Sequence, residues 1–155
     1  MNKLVRSLFA GATIAMPLNL LITSPAAAAS ADAAVIQGHG TISPGLTPVP
    51  TQQSISFTGT ATVVGTDGVL ATYPCSFTGT DLAGSLAAGV GTVKGNCGPL
   101  DFTTCVFVRI GAEVQVICAD TGVSVGAAVC VFQPDQINPT TSYTLTCGAV
   151  AAEAP

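Results

Sequence analysis

Residues Thr104–Ala119 read TCVFVRIGAEVQVICA. Two β-branched, apolar runs, Thr104 to Ile110 and Glu113 to Ala119, flank Gly111-Ala112. Glycine at the first of two central positions suits a type II′ hairpin, because only glycine takes the positive φ required there without steric penalty. Pairing Ile110 with Glu113 then sets the register. Arg109 faces Val114, Phe107 faces Val116, and Cys105 faces Cys118. Counted outward from the hydrogen-bonded closing pair, Cys105 and Cys118 fall on a non-hydrogen-bonded rung. Cα atoms approach there to ~4.5 Å, close enough for a disulfide. A slip of one residue would break the match and send Phe107 to the opposite face. A bridge closing a loop of this size stabilises by about 3 kcal/mol in the chain-entropy model.

The other four cysteines extend the pattern. Cys75-Ser76-Phe77, Cys105-Val106-Phe107 and Cys130-Val131-Phe132 share a Cys-x-Phe unit, while Cys97, Cys118 and Cys147 are each followed by Gly or Ala. The two kinds alternate along the chain. This reads as one unit used three times: a strand carrying Cys-x-Phe, a turn, and a return strand ending in Cys-Gly or Cys-Ala. Six cysteines permit fifteen pairings. The alternation favours the sequential set 75–97, 105–118 and 130–147.

Period-two alternation spreads outward from this hairpin. Ile55, Phe57, Ala61 and Val63 point one way, and Ser54, Ser56, Thr58, Thr60 and Thr62 the other. Val69, Ala71, Tyr73, Cys75 and Phe77 repeat it, as do Val123, Val125, Ala127, Val129 and Val131, then Tyr143, Leu145 and Cys147. Such alternation buries one face of each strand and wets the other. Thr66-Asp67-Gly68-Val69 is a hairpin-type turn. Leu82 to Ala88 holds enough Ala for a helical turn, but Gly84 and Gly89 allow no more. The expected fold is all-β: an antiparallel sandwich, immunoglobulin-like in one version, or a barrel, stapled by three disulfides. The expected organisation is a signal peptide over 1–29, a flexible Pro-rich segment over 30–54 (with Pro44, Pro48 and Pro50), a disulfide-stapled β domain over 55–148, and a frayed tail over 149–155.

The N-terminus carries Lys3 and Arg6, then the apolar stretch Leu8 to Ile22, then Ser24-Pro25-Ala26-Ala27-Ala28-Ala29. Basic, apolar, small is the order of a secretory signal peptide, with cleavage after Ala28, Ala29 or Ala31. Thr13, Pro17 and Asn19 interrupt the stretch, which is short of the ~20 apolar residues of a spanning helix. No cysteine precedes Cys75 to take a lipid anchor. Cleavage after Ala29 leaves 126 of the 155 residues, enough for one domain with a core. Lys94 and Arg109 then stand against eight acidic residues, a net charge near −6. Two cations cannot neutralise several phosphates, so nucleic acid and anionic lipid surfaces are poor partners. A cationic partner, or one without charge, fits better. In an exported chain six cysteines read as a disulfide framework rather than a metal site, and no Cys-x-x-Cys pair is present. The expected location is extracellular or envelope-associated, without a membrane anchor after cleavage.

The leader, the opening Gly38-His39-Gly40-Thr41-Ile42-Ser43-Pro44-Gly45-Leu46, Cys75-Ser76-Phe77-Thr78-Gly79 and Gly95-Asn96-Cys97-Gly98 together resemble a group of small exported, disulfide-containing β proteins of actinobacteria. The resemblance covers most of the mature chain, and it implies no assigned activity. The composition (acidic, rich in Ala, Gly, Thr and Val, poor in Lys) is also similar to the neocarzinostatin-type apoproteins, which are immunoglobulin-like sandwiches. Three bridges exceed the two usual in that family, and no binding residue carries over.

Chemistry-bearing patterns are sparse. His39, the single histidine, stands between Gly38 and Gly40, and no Gly-x-Ser-x-Gly elbow accompanies it. Asp67, Asp81, Asp120 and Asp135 neighbour Gly, Pro or Thr, as turn residues do. Gly89-Val90-Gly91-Thr92-Val93-Lys94-Gly95 lacks the Gly-Lys-Ser/Thr ending of a phosphate loop. No Trp offers a sugar platform, and the Thr58/Thr60/Thr62 row reads as the wet side of a strand. The expectation is therefore a non-enzymatic exported binding or interaction module, without cofactor or metal, whose partner is a protein or a small apolar ligand. A deep apolar pocket with a few polar groups is the feature that would mark a small-molecule site. The alternatives are a structural, envelope-associated protein and a protease inhibitor. The inhibitor reading presents Pro99, Leu100, Asp101 and Phe102 on a loop pinned by Cys97 and Cys105, and requires Leu100 or Phe102 to point outward. The segment from Gln133 to Ser142 is the second loop of interest.

Overall fold

A ribbon whose inner face carries Cys, Phe and Val must cover that face, and a sheet that curls upon itself does so without a second layer. The computed structural model describes residues 31–65, 67–119 and 124–153. Eight strands follow one another: β1 (Ala31–Leu46), β2 (Thr51–Val64), β3 (Leu70–Gly84), β4 (Ala88–Cys97), β5 (Leu100–Ile110), β6 (Glu113–Ala119), β7 (Ser124–Pro134) and β8 (Thr140–Glu153). Each pairs antiparallel with the next, and β1 pairs with β8, so the sheet is a closed barrel. Of the two architectures expected, the barrel is the one formed. The expected leader, Thr66, Asp120 and Val123 lie outside the described residues.

The central hairpin has the register that its sequence requires. Cys105 faces Cys118, Phe107 faces Val116 and Arg109 faces Val114, and Gly111 takes φ 59° in the turn. The three bridges are 75–97, 105–118 and 130–147, each between direct cross-strand partners, with Cα separations of 4.1, 4.0 and 4.0 Å. They staple β3 to β4, β5 to β6 and β7 to β8 from inside the barrel, where all six cysteines are buried.

Three expectations are corrected. Residues 31–54 are not a flexible segment: β1 and the start of β2 supply two of the eight staves, paired from Ala33–Val64 to Ser43–Ser54. The prolines are absorbed without breaking either strand, Pro44 where the β1–β8 ladder shifts register between Thr41 and Leu46, and Pro48 and Pro50 in the turn before β2. The tail is likewise structural as far as Glu153, because closure needs β8 to run alongside β1. On β7 the buried phase is the other one. Cys130 and Phe132 are buried and Val131 is exposed, because the bridge to Cys147 fixes which face turns inward.

Close contacts between inward rings and inward glycines thicken the core. A Cβ on Gly40 would lie 2.1 Å from the Tyr143 ring, so only glycine admits that ring against β1. Phe57, Phe77 and Phe102 form a chain of rings with centroids 6.5 and 6.3 Å apart.

The bridge between Cys130 and Cys147 closes a segment of 17 residues, for which the chain-entropy model gives about 3 kcal/mol. Replacing both cysteines by Ala is expected to lower the thermal midpoint by roughly 10 °C. Calorimetry under non-reducing conditions measures this, and an unchanged midpoint would show that β7 and β8 are held by their ladder alone.

Candidate ligand cavity

The inward phase of every strand faces one space. Rings and branched side chains fill much of it, but a cavity of about 510 Å³ remains along the barrel. Its wall is apolar over most of its length, with Ile36, Ile55, Phe77, Phe107, Val116 and Leu145 among the lining residues. Small inward residues (Ala61, Gly126, Ala128, Ala149) keep the wall thin and leave the room that larger ones would fill.

The two ends differ. One is closed by buried Leu46, Gln53, Leu82 and Arg109. There the turn between β3 and β4 lies across the barrel end. Leu86 N–H donates to the Thr47 carbonyl at 2.8 Å, and Gly111 N–H donates to the Ala87 carbonyl at 2.8 Å. Arg109 ties this floor together. Its guanidinium donates to the Leu86 carbonyl at 3.2 Å, to the Gly111 carbonyl at 2.7 Å and to the Ser85 carbonyl, and lies 4.9 Å above the centre of the Phe132 ring. Carbonyl dipoles and a ring face compensate its charge, and burial lowers its pKa from the ordinary value. Gln53 donates through Nε2 to Thr51 Oγ1 at 2.5 Å and to the Gly45 carbonyl at 3.3 Å, while its buried Oε1 has no partner.

The other end is open among the described residues. Exposed Asp67, Val69 and Pro99 line the same cavity there, beside half-buried Asp32 and Leu100. Asp67 Oδ1 accepts the Val69 N–H at 3.0 Å, and Gly68 takes φ 79°, which is the turn expected of Thr66-Asp67-Gly68.

The segment from Pro99 to Phe102 is not a bait loop. Gly98-Pro99 is a two-residue turn, and β5 begins at Leu100. Phe102 points inward and is buried against the 105–118 bridge and Phe77, and Leu100 is half-buried in the cavity wall; Asp101 is exposed. Phe102 therefore lacks the outward pose that the inhibitor reading needs. The second loop of interest shrinks to the turn 135–139, closed by Thr140 Oγ1 donating to the Gln136 carbonyl at 2.8 Å and by Gln136 Nε2 on Thr141 Oγ1 at 2.6 Å. His39 is exposed on the outer face, 3.3 Å from Thr144 Oγ1 through Nδ1, with Thr58 opposite it on β2. Asp81 is exposed on β3 at φ 58°, inside the register shift between Thr78 and Ala83, and Asp135 N–H donates to the Ser142 carbonyl at 3.1 Å.

Sequence reasoning missed Asp32, Gln53 and the floor role of Arg109. Phase was the available signal. Gln53 shares the inward phase of Ile55 and Phe57, Arg109 that of Cys105 and Phe107, and Asp32 that of Ala34 and Ile36. A polar residue in a buried phase is the informative exception. Comparison with known proteins finds no family model, no curated relative and no solved structure that matches the chain.

Tyr143 stands in the cavity wall, its ring tilted against Phe132 with centroids 5.1 Å apart, and donates to the Ser56 carbonyl at 3.2 Å. Burial pushes its pKa up to about 12 from 10.0. A raised phenol pKa means that the native state holds the proton more tightly than the unfolded state. Its contribution is full below pH 10 and is lost as pH rises toward 12. Two units correspond to about 3 kcal/mol. Tyr143→Phe is expected to cost about 1 kcal/mol at neutral pH through the lost hydrogen bond. It should also flatten the alkaline fall in stability, which denaturant titrations across this range measure.

Proposed function

We propose that this is an exported, non-enzymatic binding protein that holds one small, predominantly apolar molecule inside its barrel. The cavity carries the reading. A volume of about 510 Å³ lies within the ~300–1,000 Å³ of small-molecule sites, and an apolar wall with a few polar groups is their usual make-up. Eight strands give the barrel size whose interior is either filled by side chains or holds one small ligand. Here the small inward residues favour the second. Three disulfides fit an oxidising compartment, and the leader pattern supplies the route to it.

A second reading places binding on the outer surface. Val90 and Val108 are cross-strand neighbours and are 49% and 44% exposed, with Val106 and Ile110 beside them at 47% and 72%. Four adjacent exposed apolar side chains are more than scattered singles and suit an apolar contact with a protein or the envelope.

One titration separates the two. A neutral naphthylamine dye that fluoresces in apolar surroundings is expected to bind mature protein saturably and one to one. Ala71 faces inward near the open end and is half-buried. Ala71→Trp should block the opening and weaken binding by about tenfold or more, a difference of ~1.4 kcal/mol. Dye binding that survives Ala71→Trp but falls with Val106→Ser and Val108→Ser would move the site to the outer face. No saturable binding would leave the cavity without a ligand role.

A further inference from the structure

Resting on the cavity reading, we propose that the bound molecule is a neutral alcohol, its hydroxyl donating to Gln53 Oε1 at the floor and its apolar body filling the barrel. Gln53 is 3% exposed and lines the cavity. Among the described residues its Oε1 is the buried side-chain oxygen without a hydrogen-bond partner. The amide stands one way only. Nε2 donates to Thr51 Oγ1 and to the Gly45 carbonyl, and a reversed amide would set Oε1 against that carbonyl, acceptor against acceptor. Both partners of Nε2 lie toward the barrel end: Thr51 two residues before Gln53 on β2, and Gly45 two residues beyond Ser43, which pairs with Ser54. Nε2 therefore turns toward that end and Oε1 to the other side, where the paired Ile42 and Ile55 carry the wall onward.

An acceptor held in an apolar wall destabilises the chain that carries it until a donor reaches it. The floor also selects among donors. An ammonium would stand at the same end as the buried Arg109 guanidinium, in surroundings of low dielectric. A carboxylate has no proton for Oε1, and Arg109 already spends Nη1 and Nη2 on the Leu86, Gly111 and Ser85 carbonyls. A hydroxyl supplies the donor and brings no charge.

The cavity holds a second polar group, the half-buried Tyr73 hydroxyl, toward the open end. Tyr73 pairs with Ala61, eight residues along β2 from Gln53, which is roughly 20 Å along the axis once strand tilt is allowed for. A phenol both donates and accepts, so it takes an ether oxygen as well as a hydroxyl. Gln53 Oε1 takes only a donor. That difference makes the two groups separable by ligand chemistry. At roughly 30 Å³ for each non-hydrogen atom, taken as the volume share of a water, the cavity has room for about seventeen.

The test uses decanol, its isomer methyl nonyl ether, and decanoate, below their solubility and micelle limits, as competitors for the naphthylamine dye on mature protein at neutral pH. Decanol is expected to displace the dye at about tenfold lower concentration than the ether, and at lower concentration than decanoate. Gln53→Met keeps the length of the side chain and removes the acceptor, and should bring decanol down to the ether. Tyr73→Phe should leave the gap in place. In the wild-type protein the Gln53 side-chain carbonyl carbon should move downfield with decanol and stay put with the ether, a readout that stands even where Gln53→Met does not fold. Equal binding of alcohol and ether, a lead for decanoate, a carbonyl resonance indifferent to decanol, or a gap that survives Gln53→Met or closes in Tyr73→Phe would overturn the assignment while leaving the cavity occupied. If the dye binds but no competitor displaces it, the alcohol assignment falls alone. If the dye itself does not bind, the cavity reading falls and takes this proposal with it.

Discussion

Pairing of β1 with β8 is the constraint on which the rest depends. An open sheet of eight strands would leave two edges with unpaired N–H and C=O groups and an apolar face with nothing over it. Joining Ala31–Thr41 to Ser142–Ala152 removes both edges at once and turns that face into an interior. Every inward side chain then competes for one volume, fixed by the number of strands. The three bridges act within this frame. Each ties a hairpin that is already local in sequence, and none crosses from one hairpin to the next. Closure itself rests on backbone ladders, on the shared interior and on the floor turns bonded across the barrel end.

The interior divides into a filled and an unfilled part. Where rings meet glycines, as Tyr143 does over Gly40, the ring packs close against the neighbouring backbone and narrows the space. Where alanines face one another the wall stays thin and a cavity persists. This division follows from residue size at inward positions rather than from the overall content of apolar residues. A more uniformly branched interior would give the same barrel with no cavity.

The sequence made the hairpin register and the bridges legible because both are local. Gly111-Ala112 sets the pairing, and counting outward places Cys105 opposite Cys118. It left the barrel and the sandwich undecided, since both bury one face of alternating strands; closure depends on contacts between residues over a hundred positions apart, such as Gly38 and Leu145. Prolines misled the reading of 30–54. Pro44, Pro48 and Pro50 argue against a ladder in a central strand, yet a register shift and a turn accommodate them. On β7 the valines at 123, 125, 129 and 131 argued for the wrong phase, and the bridge to Cys147 fixed the face instead. The bait-loop reading took Gly98 to Thr104 as a loop because Cys97 and Cys105 flank it, although Phe102 continues the inward phase begun at Leu100. The cavity was legible only as a criterion. No composition or period reveals how much of a closed interior its side chains leave empty.

The two ends of the barrel solve the same electrostatic problem differently. At the floor, a buried guanidinium is matched by neutral carbonyl dipoles and a ring face, and the turns that provide them are held in place by it. That arrangement is satisfied within the chain, which is what a structural plug needs. At the rim, two carboxylates stand by an apolar wall with water on their other side. Asp67 accepts the Val69 N–H there, and its side chain is exposed while that of Asp32 is half-buried. Among the described residues the basic side chains are Lys94, exposed on β4, and Arg109, in the plug. Neither lies at the end where Asp32 and Asp67 line the cavity, so among the described residues the two ends differ in charge as well as in closure.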